Sequence, residues 1–200
     1  MVTAVTDDIV LIGGGGHCRS CIDVIEARGG LTITGILDVA ARVGELVFGY
    51  QVIGTDEDIG QLAARGPKFL ITIGQIRSPD RRVELYDKVR ASNGPLASIV
   101  SPLAYVSPRA ELGPGTIVMH GAVVNCGARV GANVIVNSKA LIEHDATVGD
   151  HCHISTAAVV NGGVEVGPCT FIGSNAVLHH GARVPAGSIV AAGAAYRAKE

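Results

Sequence analysis

The chain has 200 residues, enough for one large domain or two small ones, and a formal net charge of −2. Hydrophobic residues make up 48% of it and charged residues 17%, yet aromatics are only 4%, Trp is absent and there are 27 glycines, so the core is expected to be thin and regular, built from Val, Ile, Leu and Ala. There is no basic surplus to attract nucleic acid or an anionic membrane, no stretch approaches the ~18 apolar residues of a membrane span, and the first ten residues, with two acids and no basic segment, do not read as a secretory signal.

Five cysteines is an odd number without small-scaffold spacing, so reduced thiols in a cytoplasm are expected. Residues 8–13 (DIVLIG) form a short apolar run ending in glycines, the first predicted strand. Residues 17–28 have helical spacing through Ile22, Val24 and Ile25 and stop at Gly29-Gly30. A second strand is expected over 31–38 (LTITGILD), a short third over 50–55, a helix over 56–65 and a buried strand over 68–74 (KFLITIG). Residues 79–92 read as a helix with Pro79 in its first turn and Asn93-Gly94 after its end. Residues 96–100 close this pattern. Strands alternating with helices imply a parallel sheet with covered faces, a small Rossmann-like domain over residues 1–101.

After Ser101-Pro102 the period changes. Every sixth residue from Val106 to Val190 is aliphatic, fifteen in succession without an insertion. Two positions before each stands a mostly small residue, as at Ala110, Ala122, Ala128, Ala140, Ala146 and Ala158. Such a period is the signature of a parallel β-helix. Three hexads make one triangular coil, with the aliphatic pointing inward and the small residue in the crowded corner. Stacked at ~4.8 Å, five coils make a prism roughly 24 Å tall over residues 102–200.

Four groups of residues carry candidate chemistry. The loop Gly13-Gly14-Gly15-Gly16-His17 joins strand to helix, where glycines let backbone amides approach an anion. Asp38 ends the second strand about twenty residues later, where a Rossmann domain often meets a nucleotide. A tight turn and a surface acid are the plainer alternative, and the absence of a P-loop lysine argues against NTP hydrolysis. Cys18-x-x-Cys21 has redox spacing but lies inside the predicted helix, where packing explains it. His144 follows the inward Ile142 by two, flanked by Glu143 and Asp145, carboxylates that can orient its ring and favour its protonated form. That arrangement suits deprotonation of an attacking amine or hydroxyl; a surface histidine at a coil corner is the alternative. The remaining histidines, His120, His151, His153, His179 and His180, raise the question of zinc. His144 and His180 lie two coils apart, about 10 Å, too far to share an ion within one subunit. Their column also holds Cys126 and Gly162.

These residues resemble the nucleotide-sugar acyltransferases, which join an N-terminal Rossmann-like domain to a C-terminal left-handed β-helix. The chain is most like the bacterial UDP-4-amino-sugar N-acetyltransferases of bacillosamine synthesis, and the sialic acid O-acetyltransferases share the architecture. The likeness covers nearly the whole chain and is most specific at the loop ending in His17, at Ile73-Gly74 and at the stretch from Asn137 to Glu143-His144-Asp145. The left hand of the β-helix is implied by this resemblance and not by the period.

The resemblance implies an acetyl-CoA-dependent transferase, and the histidine spacing leads us to expect no metal. Gly15, Gly16 and His17 would meet the phosphates or sugar, Asp38 and Val39 the base, and Gly74 would close over the sugar nucleotide. Val39 departs from a pair of acids common in the family. His144 would be the general base, Asp145 the acid that raises its basicity and Asn137 an active-site amide. His153, Ser174 and Ala192 would contact acetyl-CoA, the last two through the main chain. Gly162 is a candidate oxyanion amide. The tail, residues 196–200, departs from the family's Pro-containing end. A homotrimer with sites at subunit interfaces is expected. Rival readings are a sugar O-acetyltransferase, a γ-carbonic-anhydrase-like zinc enzyme needing three convergent histidines, and a non-enzymatic nucleotide-sugar-binding module.

Overall fold

The computed structural model describes residues 7–197, so parts of the N-terminal and tail readings fall outside the described residues. The chain forms two compact units. One takes the described residues up to Gly74 and Asp80–Ala97, the other Gln75–Pro79 and the described residues from Ser98 onward.

In the first unit β1 (Asp7–Ile12), β2 (Leu31–Leu37), β3 (Leu46–Val47), β4 (Tyr50–Gly54) and β5 (Lys68–Ile71) form one sheet in the order β3-β4-β2-β1-β5. Ile9, Val10, Leu11 and Ile12 are all buried, as expected of a central parallel strand covered on both faces. Helix α1 (Gly16–Arg28) follows β1 directly, and α3 (Asp80–Ala91) packs Leu85 and Val89 into the same core as Phe69 and Ile71.

Three sequence expectations change here. The sheet is not purely parallel, because β3 pairs antiparallel with β4 through the two-residue turn Phe48-Gly49, both with positive φ. Such a turn suits a tight hairpin, but Phe at its first position and a strand of only two residues hid it. The helix expected over 56–65 is a 3₁₀ turn at Asp56–Asp58 followed by α2 (Ile59–Ala63), opened by a Thr55/Asp58 capping box. The strand expected over 68–74 stops at Ile71, because the Thr72 hydroxyl donates to Ile12 O and Gly13 O and pulls the chain toward the glycine loop.

The second unit is a left-handed β-helix of seventeen two-residue strands, from β6 (Ile99–Val100) to β22 (Ala195–Tyr196), in sheets of six, five and six. It therefore begins one hexad before Val106 and ends one after Val190. Residues 96–100 divide: Leu96 bridges to Phe69 in the first sheet, while Ile99 and Val100 form the first rung of the prism. The eighteen-residue coil shows in the register, Val124 lying beside Ile142 and Ile142 beside Val160. From Val118 to Val190 the inward aliphatics form one continuous buried core with small corner residues such as Ala122, Ala140 and Ala158, and Val106, Ala110 and Leu112 are partly buried against it.

Corners recur with the same period. Positive φ appears at every sixth residue from Gly115 to Gly193, including non-glycines such as Asn133, Lys139 and Asp145. Left-handed backbone turns the chain at each corner and places the preceding residue on the prism edge.

The outward positions differ by face. One sheet presents Glu111, Arg129, Thr147, Glu165 and Arg183, all exposed. The next presents Tyr105, Val123, Leu141, Val159, Val177 and Ala195, an apolar stripe exposed to varying degrees. The third carries Ile117 and Ile135, buried, and then His153.

Candidate active site

The glycine loop leaves the carboxyl end of β1, where ligands of open α/β sheets bind. Its four glycines are not equivalent. Gly13 has φ +101° and a Cβ there would lie 2.3 Å from Ile73 Cγ1. A Cβ on Gly14 would lie 2.9 Å from Asp38 Oδ2. Gly15 and Gly16 face open space, Gly15 being an N-cap without a side-chain hydrogen bond, and the first turn of α1 holds no acid. No acid of the helix itself opposes the amides at its start, which favours receiving an anion, and the nearby Asp38 carboxylate is paired with Arg42. A cleft lined by these glycines, His17, Asp38, Arg42, Thr72 and Gly74 opens above them.

Asp38 is placed beside the loop, but its carboxylate is already engaged. Oδ2 accepts Gly14 N–H at 2.8 Å and an Arg42 hydrogen bond, and Oδ1 accepts Val39 N–H at 2.7 Å. Val39 is 60% exposed and lines a second cleft with Ile12, Leu37, Asp56, Arg81 and Leu85.

Reading the sequence missed Arg82. On a helix carrying Arg81 and Arg90 it gives no sign of being buried, yet it is 1% exposed and donates to Ile71 O at 3.0 Å and Ile73 O at 2.6 Å. Burial pushes its guanidinium down to about 10. It fixes the backbone that carries Ile73 against Gly13.

Cys18 and Cys21 are buried in α1, and burial raises both thiols above the ordinary value. A redox pair needs the opposite shift.

In the prism, His144 and Asp145 occupy a corner at the end of the apolar face, with Asp145 at φ +59°. His144 Nδ1 lies 2.9 Å from Asp145 Oδ2. A carboxylate accepts, so Nδ1 carries the proton and Nε2 is left as the basic nitrogen. The Asp145 hydrogen bond, with the charges of Asp145 and Glu143, holds the imidazole above its ordinary value. Glu143 is braced in turn, its Oε2 accepting Asn125 Nδ2 at 2.9 Å and His144 N–H at 3.2 Å.

Gly162 lies one coil on, under the ring: a Cβ there would be 2.8 Å from His144 Nε2. On the two preceding coils the equivalent amide is capped by the residue before it, Cys126 N–H by Asn125 and His144 N–H by Glu143. Asn161 instead donates its amide to Leu178 O at 2.8 Å.

Asn137 stands at the other edge of the apolar face, one corner before His144. Its Nδ2 meets His153 Nε2 at 3.1 Å and its Oδ1 accepts Ser138 N–H at 2.8 Å. His153 is 6% exposed, with Nδ1 2.5 Å from Gln75 O, so both ring nitrogens are engaged. Ser174 and Ser155 join hydroxyls at 2.9 Å, Ser174 O accepts Gly193 N–H at 2.8 Å, and Ala192 is exposed. Thus Asp145 and His144 are brought together, as are Asn137 and His153, but the two pairs occupy different corners of one prism. Among the described residues no three His, Cys, Asp or Glu side chains are grouped so as to hold a metal ion.

The solved structures that this chain resembles make it an acetyltransferase of the hexapeptide-repeat type. Residues 8–89 match the PglD N-terminal domain. The acetyltransferase domain of PglB from Neisseria gonorrhoeae FA1090, solved also with acetyl coenzyme A, is 27% identical, with 98% of this chain and 94% of that one covered at TM-score 0.89. PerB from Caulobacter crescentus, solved with CoA and GDP-perosamine, is 32% identical, with 98% and 93% covered at TM-score 0.86. A curated relative, uncharacterized protein L142 of Acanthamoeba polyphaga mimivirus, is 30% identical over 117 residues, and the match spans 22% of its length. The chain belongs to the nucleotide-sugar acyltransferase family.

Proposed function

We propose that the chain transfers an acetyl group from acetyl-CoA to the amino group of a nucleotide-linked amino sugar, as PerB, named a perosamine N-acetyltransferase, does in name and ligands. The observation that carries this is His144: its Nδ1 is tied to Asp145 and its Nε2 is left over Gly162.

The glycine loop, through Gly15, Gly16 and His17, receives the diphosphate and sugar, with Gly74 beside His17. Asp38 shapes the loop, and Val39 lines the cleft beyond it. His144 Nε2 takes a proton from the acceptor amine as its nitrogen attacks the thioester carbonyl. Gly162 N–H supports the developing oxyanion. Collapse of the tetrahedral intermediate breaks the carbon–sulfur bond, and the departing CoA thiolate takes the proton back from His144. No acyl-enzyme is needed. His153, Ser174 and Ala192 are assigned to the acetyl-CoA side, His153 by holding Asn137 and not through a free ring nitrogen.

A homotrimer completes the site in this reading. The apolar stripe from Tyr105 to Ala195 lies between the Asn137 and His144 corners, so packing that face on another copy brings the two corners of different subunits together. The Glu/Arg face would remain in solvent.

The test is release of CoA thiol with a panel of nucleotide-linked amino sugars. Turnover with a 4-amino sugar is expected; the resemblance implies a UDP-linked 4-amino-4,6-dideoxy sugar. Transfer only to hydroxyl acceptors would overturn N-acetylation. A second check is Gly162→Ala. Its methyl would push the imidazole aside, and such a displacement is expected to lower turnover by about 10²-fold while the melting temperature holds. Unchanged turnover would remove Gly162 and the ring's present position from the mechanism.

A further inference from the structure

The cleft beyond the glycine loop lies at the carboxyl ends of β1, β2 and β5, between the apolar side chains Ile12, Leu37 and Leu85. It has two acids on its wall, and they differ in what they can still do. Asp38 is committed on both oxygens, to Gly14 N–H, Val39 N–H and Arg42. Asp56 is engaged instead by its own backbone N–H and by side-chain cations, not by amides of the glycine loop. Its Oδ2 accepts Arg81 Nη2 at 3.0 Å, with Lys88 Nζ at 3.7 Å. Arg81 is held on its other side by Glu84 at 2.8 Å. Burial pushes the Asp56 carboxyl up, but Arg81 and Lys88 outweigh it and leave the group below its ordinary value, an anion at neutral pH. The cleft therefore offers a carboxylate acceptor with a fixed guanidinium donor next to it.

We propose that Asp56 and Arg81 read the edge of the nucleotide base and that the base is guanine. The proposal rests on the nucleotide-sugar reading above and puts a guanine in place of the uracil that the resemblance implies. A carboxylate is matched by two adjacent donors, since each of its oxygens then accepts one. Guanine alone among the common bases has such a pair, N1–H beside the N2 amino group, with the acceptor O6 next in line for a cation. Uracil presents a single N3–H between two carbonyl oxygens, so the second carboxylate oxygen would face a lone pair. Cytosine and adenine each set one amino group beside an acceptor nitrogen, with the same conflict. Burying an unmatched polar edge is what gives hydrogen-bonding sites their power to reject. The ion pair also leaves the wall close to neutral, which lowers the cost of covering it with a base.

The experiment is titration calorimetry of the full chain with GDP, UDP, CDP and ADP. GDP is expected to bind roughly 10–100-fold more tightly than the others, the range of one bidentate pairing. Inosine diphosphate, which lacks the N2 amino group, is expected to lose about 10-fold against GDP, a comparison that requires no altered protein. Asp56→Asn replaces one acceptor with a donor and is expected to bring GDP and UDP to similar affinity. UDP binding as tightly as GDP, inosine diphosphate matching GDP, a preference that survives Asp56→Asn, or no binding of any of the four would each overturn the proposal. The outcomes are separable from those for catalysis. A chain that prefers GDP but transfers no acetyl group keeps the base reader and loses the activity; one that acetylates UDP-linked sugars and binds UDP more tightly does the reverse.

Discussion

His144→Ala is expected to lower turnover by roughly 10²–10⁴-fold, the range for losing a positioned general base. The fold should be untouched. The ring stands at an exposed corner and bonds to Asp145, while the bond to Glu143 is made by the His144 backbone N–H and stays in the variant. A melting temperature equal to that of the parent, with turnover down, is the expected pair of readings; near-normal turnover would sink the role of His144. The pH profile adds a signature. A base must be unprotonated to act, so kcat/KM should rise with pH through an acid limb. Asp145 holds the imidazole above its ordinary value, so that limb should lie above the usual histidine range. Asp145→Asn removes both the charge and the strongest acceptor, and the limb should move to lower pH. A limb that stays in place would separate Asp145 from the base.

Ile154→Ala is expected to cost about 2–5 kcal/mol of stability, toward the upper part of that range. Ile154 is wholly buried and stacks in register with Val136 below and Ile172 above. The size of the loss depends on whether neighbours can collapse into the space. Here they cannot, because rung hydrogen bonds hold the coils apart: Asn137 N–H to Ile154 O and Ser155 N–H to Ile172 O, each 2.9 Å. Denaturant titration should show a lower midpoint at unchanged slope. Thr147→Ala, on the exposed charged face, is the control and should stay within about 0.5 kcal/mol. A loss at Ile154 no larger than at Thr147 would show that the stacked column is not what holds the prism together. Coils touch only their neighbours, so the cavity also weakens the rungs that carry Asn137 and His153.

The prism was the most legible part of the chain. A six-residue period allows one inward position per rung, and an unbroken run of aliphatics cannot be shifted by one residue without turning its core outward. The site was half legible. Glu143-His144-Asp145 declares itself as a basic group between acids, and the corner that presents it follows from the same period. Gly162 was named for its column, but only the fold put it against His144 Nε2. The first unit was legible in its elements and not in its edges. Strand β3 is too short to pattern, and Thr72 ends β5 through contacts with residues about sixty positions away.

Local periodicity by itself determined the architecture of this protein, the glycine loop and the histidine corner, since each is written in neighbours along the chain. Tertiary structure alone decided which side chains remain available for chemistry. Asp38 was expected near the base and is held by backbone amides and Arg42; Asp56 and Arg81 gave no signal and share the cleft; Arg82 gave no signal and is buried against the backbone of Ile71 and Ile73. The reason is physical. A hydrogen-bonding group is spent on whatever partner the fold brings to it, and partners 11 to 25 residues distant leave no trace in a local pattern.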